Sequence, residues 1–200
     1  MCKPAVTTAR RQAMQALLAV WMAMICGAGM ADAAPTAGEP RTLLILPFDM
    51  VDSSLQGEMN HGPLAADVAR LERTQAIVQR ALSAREEFRL VDAAPINEDI
   101  AQARQSYRYL YECNGCEIDL GRAAGAELVL TGWVQKVSNL IININATLYD
   151  VQRGKAVAGG SVDMRGNTDR TWRAAALYLV NHSLVSNYHA RAIDGDAATP

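Results

Sequence analysis

One stretch constrains the fold more than any other: residues 113–151, CNGCEIDLGRAAGAELVLTGWVQKVSNLIININATLYDV. From residue 141 onward apolar and polar side chains alternate. Ile142, Ile144, Ala146 and Leu148 fall on one side, and Ile141, Asn143, Asn145, Thr147 and Tyr149 on the other. Period-two alternation of this length marks an antiparallel strand with one face on the core and one face toward water or a partner. A second strand, residues 127–136, precedes it, and only the polar Val-Ser-Asn around Ser138 separates the two. Upstream, Cys113-Asn114-Gly115-Cys116 opens a short helix that ends at Gly125.

The rest of the chain fits around this block. Residues 42–48, TLLILPF, are apolar without alternation, which predicts an inner strand buried on both faces, its pairing ended by Pro47. Residues 49–62 read as a polar loop carrying Asp49, Asp52, Ser53, Ser54, Glu58, Asn60 and His61. Leu64, Val68, Leu71, Ile77 or Val78, and Leu82 then give an apolar stripe at helical spacing over 63–84. A short strand at 88–91 and a helix over 95–107, extendable to 111, follow. Residues 156–165 read as a further strand, with Gly159-Gly160 marking a bulge. Thr168 or Asp169 caps a last helix over 170–186. The order β-α-β-α-α-β-β-β-α predicts an α/β fold. Its mixed sheet has a parallel first pair, an antiparallel meander at the end, and helices packed on it. We expect a single domain over 41–188 and a disordered polar tail over 189–200.

The first 33 residues have a different logic. Lys3, Arg10 and Arg11 precede an apolar run over 13–30 and the small-x-small site Ala31-Asp32-Ala33. That layout predicts a secretory signal peptide over 1–33, a flexible leader over 34–40, a periplasmic address and no stable membrane span after cleavage. Cleavage leaves 16 Lys+Arg against 20 Asp+Glu, a net charge of −4, so nucleic acid is not an expected partner. It also reduces four cysteines to two, Cys113 and Cys116. A close pair in an exported chain reads as a disulfide.

Several segments carry a resemblance: Ile45-Leu46-Pro47-Phe48, the FRLVD strand, the segment from Gly125 to Gly132 in LGRAAGAELVLTGWVQKV, and the hairpin from Leu148 to Gly154. The chain resembles the periplasmic TolB amino-terminal-domain-like family, which shares a fold with CsgG-type envelope proteins. The resemblance covers nearly all of the chain after the signal peptide, and its motifs are fold motifs. It implies a TolB amino-terminal-like architecture and a non-enzymatic envelope domain that docks other proteins. No β-propeller follows in this sequence, so the role of TolB itself does not carry over.

The chemical motifs leave three functional readings. The first is an exported, non-catalytic accessory or protein-binding domain whose partners are envelope or periplasmic proteins. Candidate partner-binding residues are Asp49, Asp52 and His61 in the loop, Tyr107, Tyr109 and Tyr111 before the cysteine pair, and Asn143 and Asn145 on the outer strand face. The plainer reading of the loop is solvated charge, which predicts that replacing Asp49 and His61 with alanine leaves the fold intact. The second reading is a thiol–disulfide protein using Cys113 and Cys116, against the alternative of a structural staple. The third is a small-ligand-binding protein. Glu117 stands where haem attachment needs histidine, and His61, His182 and His189 are remote from the cysteines, so neither haem nor a metal is expected. Gly-x-Ser-x-Gly, Walker and Gly-x-Gly-x-x-Gly motifs are all missing, so we expect no catalytic residues, no cofactor and no enzyme.

Overall fold

The computed structural model describes residues 39–196, with side chains from 39 to 190. The expected signal peptide and residues 34–38 of the leader lie outside the described residues. Strand β4 (Leu128–Ser138) is the spine of a six-stranded mixed sheet. On one side it pairs in parallel first with β1 (Arg41–Ile45) and then with β2 (Asp49–Asp52). On the other side lie β5 (Ile141–Asp150) and β6 (Lys155–Met164), both antiparallel to their neighbours. Strand β3 (Phe88–Leu90) pairs in parallel with β1, giving the spatial order β3-β1-β4-β5-β6. The helices are α1 (Leu55–Met59), α2 (Ala65–Ser83), α3 (Asn97–Ser106), α4 (Cys116–Ala123), α5 (Asp169–Tyr178) and α6 (Val185–Asp196).

The alternation seen in the sequence becomes the two faces of this sheet. Ile142, Ile144, Ala146 and Leu148 are buried together with Leu43, Leu128, Leu130 and Val134. They pack against Val78 and Leu82 of α2 and Trp172 and Ala176 of α5. Each of the larger aliphatic side chains among these contributes roughly 1.5–3 kcal/mol by leaving water. On the opposite face Leu44, Leu46 and Val129 meet Ile100 of α3, Leu110, and Ile118 and Leu120 of α4. That second layer covers only part of the face. Asn143, Asn145 and Thr147 of β5 stay half-buried, and Ser161 and Asp163 of β6 are exposed.

The mixed sheet with helices packed on it agrees with the sequence reading, and the details differ in four places. The strand over 42–48 stops at Ile45, before Pro47. The chain then rejoins the same neighbour as β2, because β4 is long enough to pair with both segments. Residues 49–62 are therefore a strand and a helix capped by Ser54, whose side chain accepts from the Gly57 amide, and the polar-loop reading is corrected. The bulge lies between Leu148 and Tyr149, opposite Val157, while Gly159 and Gly160 stay in register. The last helix is not continuous. After α5, capped by a Thr168–Thr171 box, residues Leu179–Leu184 form a π turn. Helix α6 then runs on to Asp196, through most of the segment expected to be disordered.

Candidate functional site

Where the second layer of helices ends, a row of stacked side chains begins. Tyr111 lies on Trp133 with ring centroids 4.3 Å apart and planes 11° from parallel. Tyr109 stacks on Tyr111 in turn, with centroids 5.6 Å apart, and the Arg108 guanidinium lies 5.2 Å from the Tyr109 ring centroid. Offset-stacked pairs of this kind are worth about 0.5–1.5 kcal/mol beyond the area they bury.

Trp133 faces outward because it is one residue out of phase with the inward Gly132 and Val134 of β4. The hairpin register places it opposite Asn145, and Asn145 opposite Ser161. The next rung joins Gln135, Asn143 and Asp163. There the Asn143 amide donates to Ser161 Oγ at 2.8 Å and to Asp163 Oδ1 at 2.7 Å. The aromatic row thus borders a flat field of amides and hydroxyls.

The segment carrying the tyrosines is fixed from below. Asp49, only 5% exposed, accepts from the Leu110 amide at 2.7 Å and the Tyr111 amide at 3.3 Å, and pairs with Arg104 at 3.3 Å. Burial pushes its carboxyl above the ordinary value, and Arg104 and the two amides offset part of that rise. Burial also raises the Tyr111 hydroxyl, helped by its bond to the Glu112 carboxylate at 2.7 Å, so this ring is neutral at physiological pH. The 3-10 turn Leu110–Glu112 runs straight into the cysteine pair, which is joined as a Cys113–Cys116 disulfide. Glu117 is buried with Oε2 3.0 Å from Cys113 Sγ and accepts the Gly115 amide at 2.9 Å. Cys113, Cys116 and Glu117 converge closely enough to hold a metal ion. A disulfide, however, has no thiolate to offer one.

The candidate residues are therefore separated into groups. Tyr109, Tyr111, Asn143 and Asn145 come together on one surface. Tyr107 is exposed but faces a different groove, between α3 and α4, that Cys116 also lines. His61 is exposed on the turn after α1, in a left-handed conformation (φ 53°). Asp49 lies beneath the surface as a clamp, and Asp52 is buried elsewhere. The solvated-charge reading of these two aspartates is corrected, because each is enclosed by partners that satisfy it.

Asp52 belongs to a network around Lys136, which is fully buried on the helix-packed face. Its Nζ meets Asp67 at 2.6 Å, Asp52 at 3.4 Å and Gln56 at 3.4 Å. Asp67 also accepts from Arg70 and from Asn167, and Asn167 in turn accepts from the Trp172 indole. The Lys136, Asp52 and Asp67 side chains are shut off from solvent, and the network ties α1, β2, α2 and β4 together. Sequence reasoning missed Trp133, Arg108, Arg104 and Lys136. The outward phase of Trp133 opposite Asn145 was the available signal for the first, and the inward phase of Lys136 in an apolar strand for the last.

Among the described residues no helix is long and apolar enough to cross a membrane. A family model described as "Protein of unknown function (DUF2380)" matches residues 41–184. No curated protein matches the chain. Solved structures similar to it include the LpoB C-terminal domain from Salmonella enterica, at 18% identity over 76% of this chain and 95% of that one, with a TM-score of 0.43. Lipoprotein GNA1162 from Neisseria meningitidis is 17% identical over 80% and 99%, with a TM-score of 0.43. TolB from Acinetobacter baumannii is 15% identical over 72% of this chain and 28% of that one, with a TM-score of 0.39.

Proposed function

We propose that this chain, which belongs to the family described as "Protein of unknown function (DUF2380)", is a non-catalytic periplasmic accessory domain that docks an envelope protein on the open half of its sheet. The observation that carries this reading is the juxtaposition of the Tyr109–Tyr111–Trp133 stack with the Gln135, Asn143 and Asn145 rungs. Stacked aromatics give contact area at small entropic cost, and flanking amides give directional hydrogen bonds, as at protein interfaces. The amides and hydroxyls of this face do not titrate near neutral pH, which favours recognition over acid–base chemistry. Export rests on the order of charged, apolar and small residues over 1–33.

The test is site-specific photo-crosslinking in intact envelopes, with the probe at Asn145 or, as a control, at Glu98 on the opposite end of α3. The reading requires a discrete adduct from Asn145 that is lost when Tyr109 and Trp133 are both replaced by alanine. Adducts from Glu98 and none from Asn145 would reject it.

A second reading, thiol–disulfide exchange, is favoured by the Glu117 carboxylate against Cys113 Sγ and by the half-exposed Cys116 beside a groove. The reduction potential separates the two. A structural bridge lies below about −300 mV, and an exchange-active one lies above it.

A further inference from the structure

We propose that the groove between α2 and α5, on the opposite side of the molecule's core sheet from the aromatic row, binds a phosphoryl anion. The groove has a volume of about 290 Å³ and is lined by Arg70, Arg73, Arg80 and Arg173, with Trp172 and Ile77 at its base. Four arginines line it beside one carboxylate, that of Asp169, in a chain whose formal net charge is −2, and Arg70 alone among them has a second carboxylate partner, the buried Asp67 at 2.8 Å. The arginines are not a diverging solvated stripe. Arg70, Arg73 and Arg80 share one face of α2, and Arg173 reaches the same groove from α5.

Asp169 shows where an anion sits. Its Oδ1 alone accepts from Arg70 Nε at 2.9 Å and from Arg73 Nη2 at 3.2 Å, although the side chain is 67% exposed. Arg70 foremost, with Arg73, holds this carboxyl below its ordinary value. Arg80 and Arg173 have no ion-pair partner among the described residues. One carboxylate thus engages half of the available guanidinium groups. A phosphoryl group carries more charge and three acceptor oxygens, so it can bridge Arg80 and Arg173 as well and displace Asp169. Arginine's planar fork suits this geometry better than a point charge would.

The binding is read by titration calorimetry of the purified chain with pyrophosphate at low ionic strength. Saturable binding is expected. Arg80→Ala combined with Arg173→Ala weakens it about a hundredfold, roughly tenfold for each charge-assisted hydrogen bond lost, with an unchanged urea midpoint because neither side chain is paired. Asp169→Asn removes the competing carboxylate and tightens binding several-fold. Retention on phosphatidylglycerol vesicles but not on phosphatidylcholine assigns the phosphoryl group to a lipid headgroup, and binding of pyrophosphate alone assigns it to a soluble ligand. The proposal is overturned by the absence of saturable binding. It is equally overturned by binding indifferent to Arg80→Ala with Arg173→Ala, or by weaker binding in Asp169→Asn, which would make the Asp169 pairs a closed structural contact.

Discussion

At the scale of single residues, buried carboxylates organise this protein. Asp49→Ala leaves the Leu110 and Tyr111 amides without their acceptor, and we expect a loss of about 2–3 kcal/mol in urea denaturation. His61→Ala, on an exposed turn, is expected to stay within about 0.5 kcal/mol. The expectation that both can be replaced freely is kept for the exposed His61 and revised for Asp49, which is buried and hydrogen-bonded. Asp67 makes a second prediction. Burial pushes its carboxyl up, but the bonds from Lys136, Asn167 and Arg70 outweigh that and hold it below its ordinary value of 3.8. A depressed carboxyl stabilises the folded state above the unfolded value, and that contribution is lost as pH falls through the folded one. Stability followed by urea midpoint should therefore decline below about pH 4, and Asp67→Asn should lack that part of the slope. The same variant should lose about 3–5 kcal/mol at pH 7, because it strips the buried Lys136 of its nearest charge. The inward phase of Lys136 was legible in the sequence. Its partners were not, since Asp67 and Asp52 are 69 and 84 residues away along the chain.

At the scale of elements, period-two and helical spacing located the long strands and the helices that pack on them as far as about residue 186, because burial imposes those periods directly, but the polar sequence of α6 hid most of that helix. Glycine was harder to read. It can mark either a bulge or a close approach, and Gly160 is the second. A Cβ there would fall on the Ser183 Cβ of the π turn, well inside van der Waals contact. Gly160→Ala is expected to cost about 1–3 kcal/mol. Adding Ser183→Gly should make the double variant less unstable than the sum of the two single changes, the mark of a direct contact. Additive losses would show that Gly160 is needed for backbone reasons instead. The aromatic row was half legible for a similar reason. The tyrosine run was visible, but Trp133 joins it only through a tertiary stack that spacing cannot encode.

For the whole molecule, the alternating pattern of β5 was enough to show that one face of the sheet is covered. It could not show how far helices α3 and α4 reach across the other. The boundary of the fold is similar. The family match ends at residue 184, yet Val185 is buried and the Tyr188 ring lies 5.3 Å from Phe88 at the far edge of the sheet. Deleting residues 185–200 removes both contacts and should cost about 3 kcal/mol, measured as a lowered urea midpoint.

Helix α6 does one thing more. Strand β6 is the outermost strand on its side, ten residues long, and such a rim is a template on which a second copy can add its own strand and begin a fibre. The Asn187 side chain donates to the Gly159 carbonyl at 2.7 Å, so one acceptor on that strand is already occupied, and Lys155 and Asp163 add charge along it. Concentrated protein should accordingly stay dispersed, whereas Asn187→Ala should scatter light at concentrations where the parent chain remains clear.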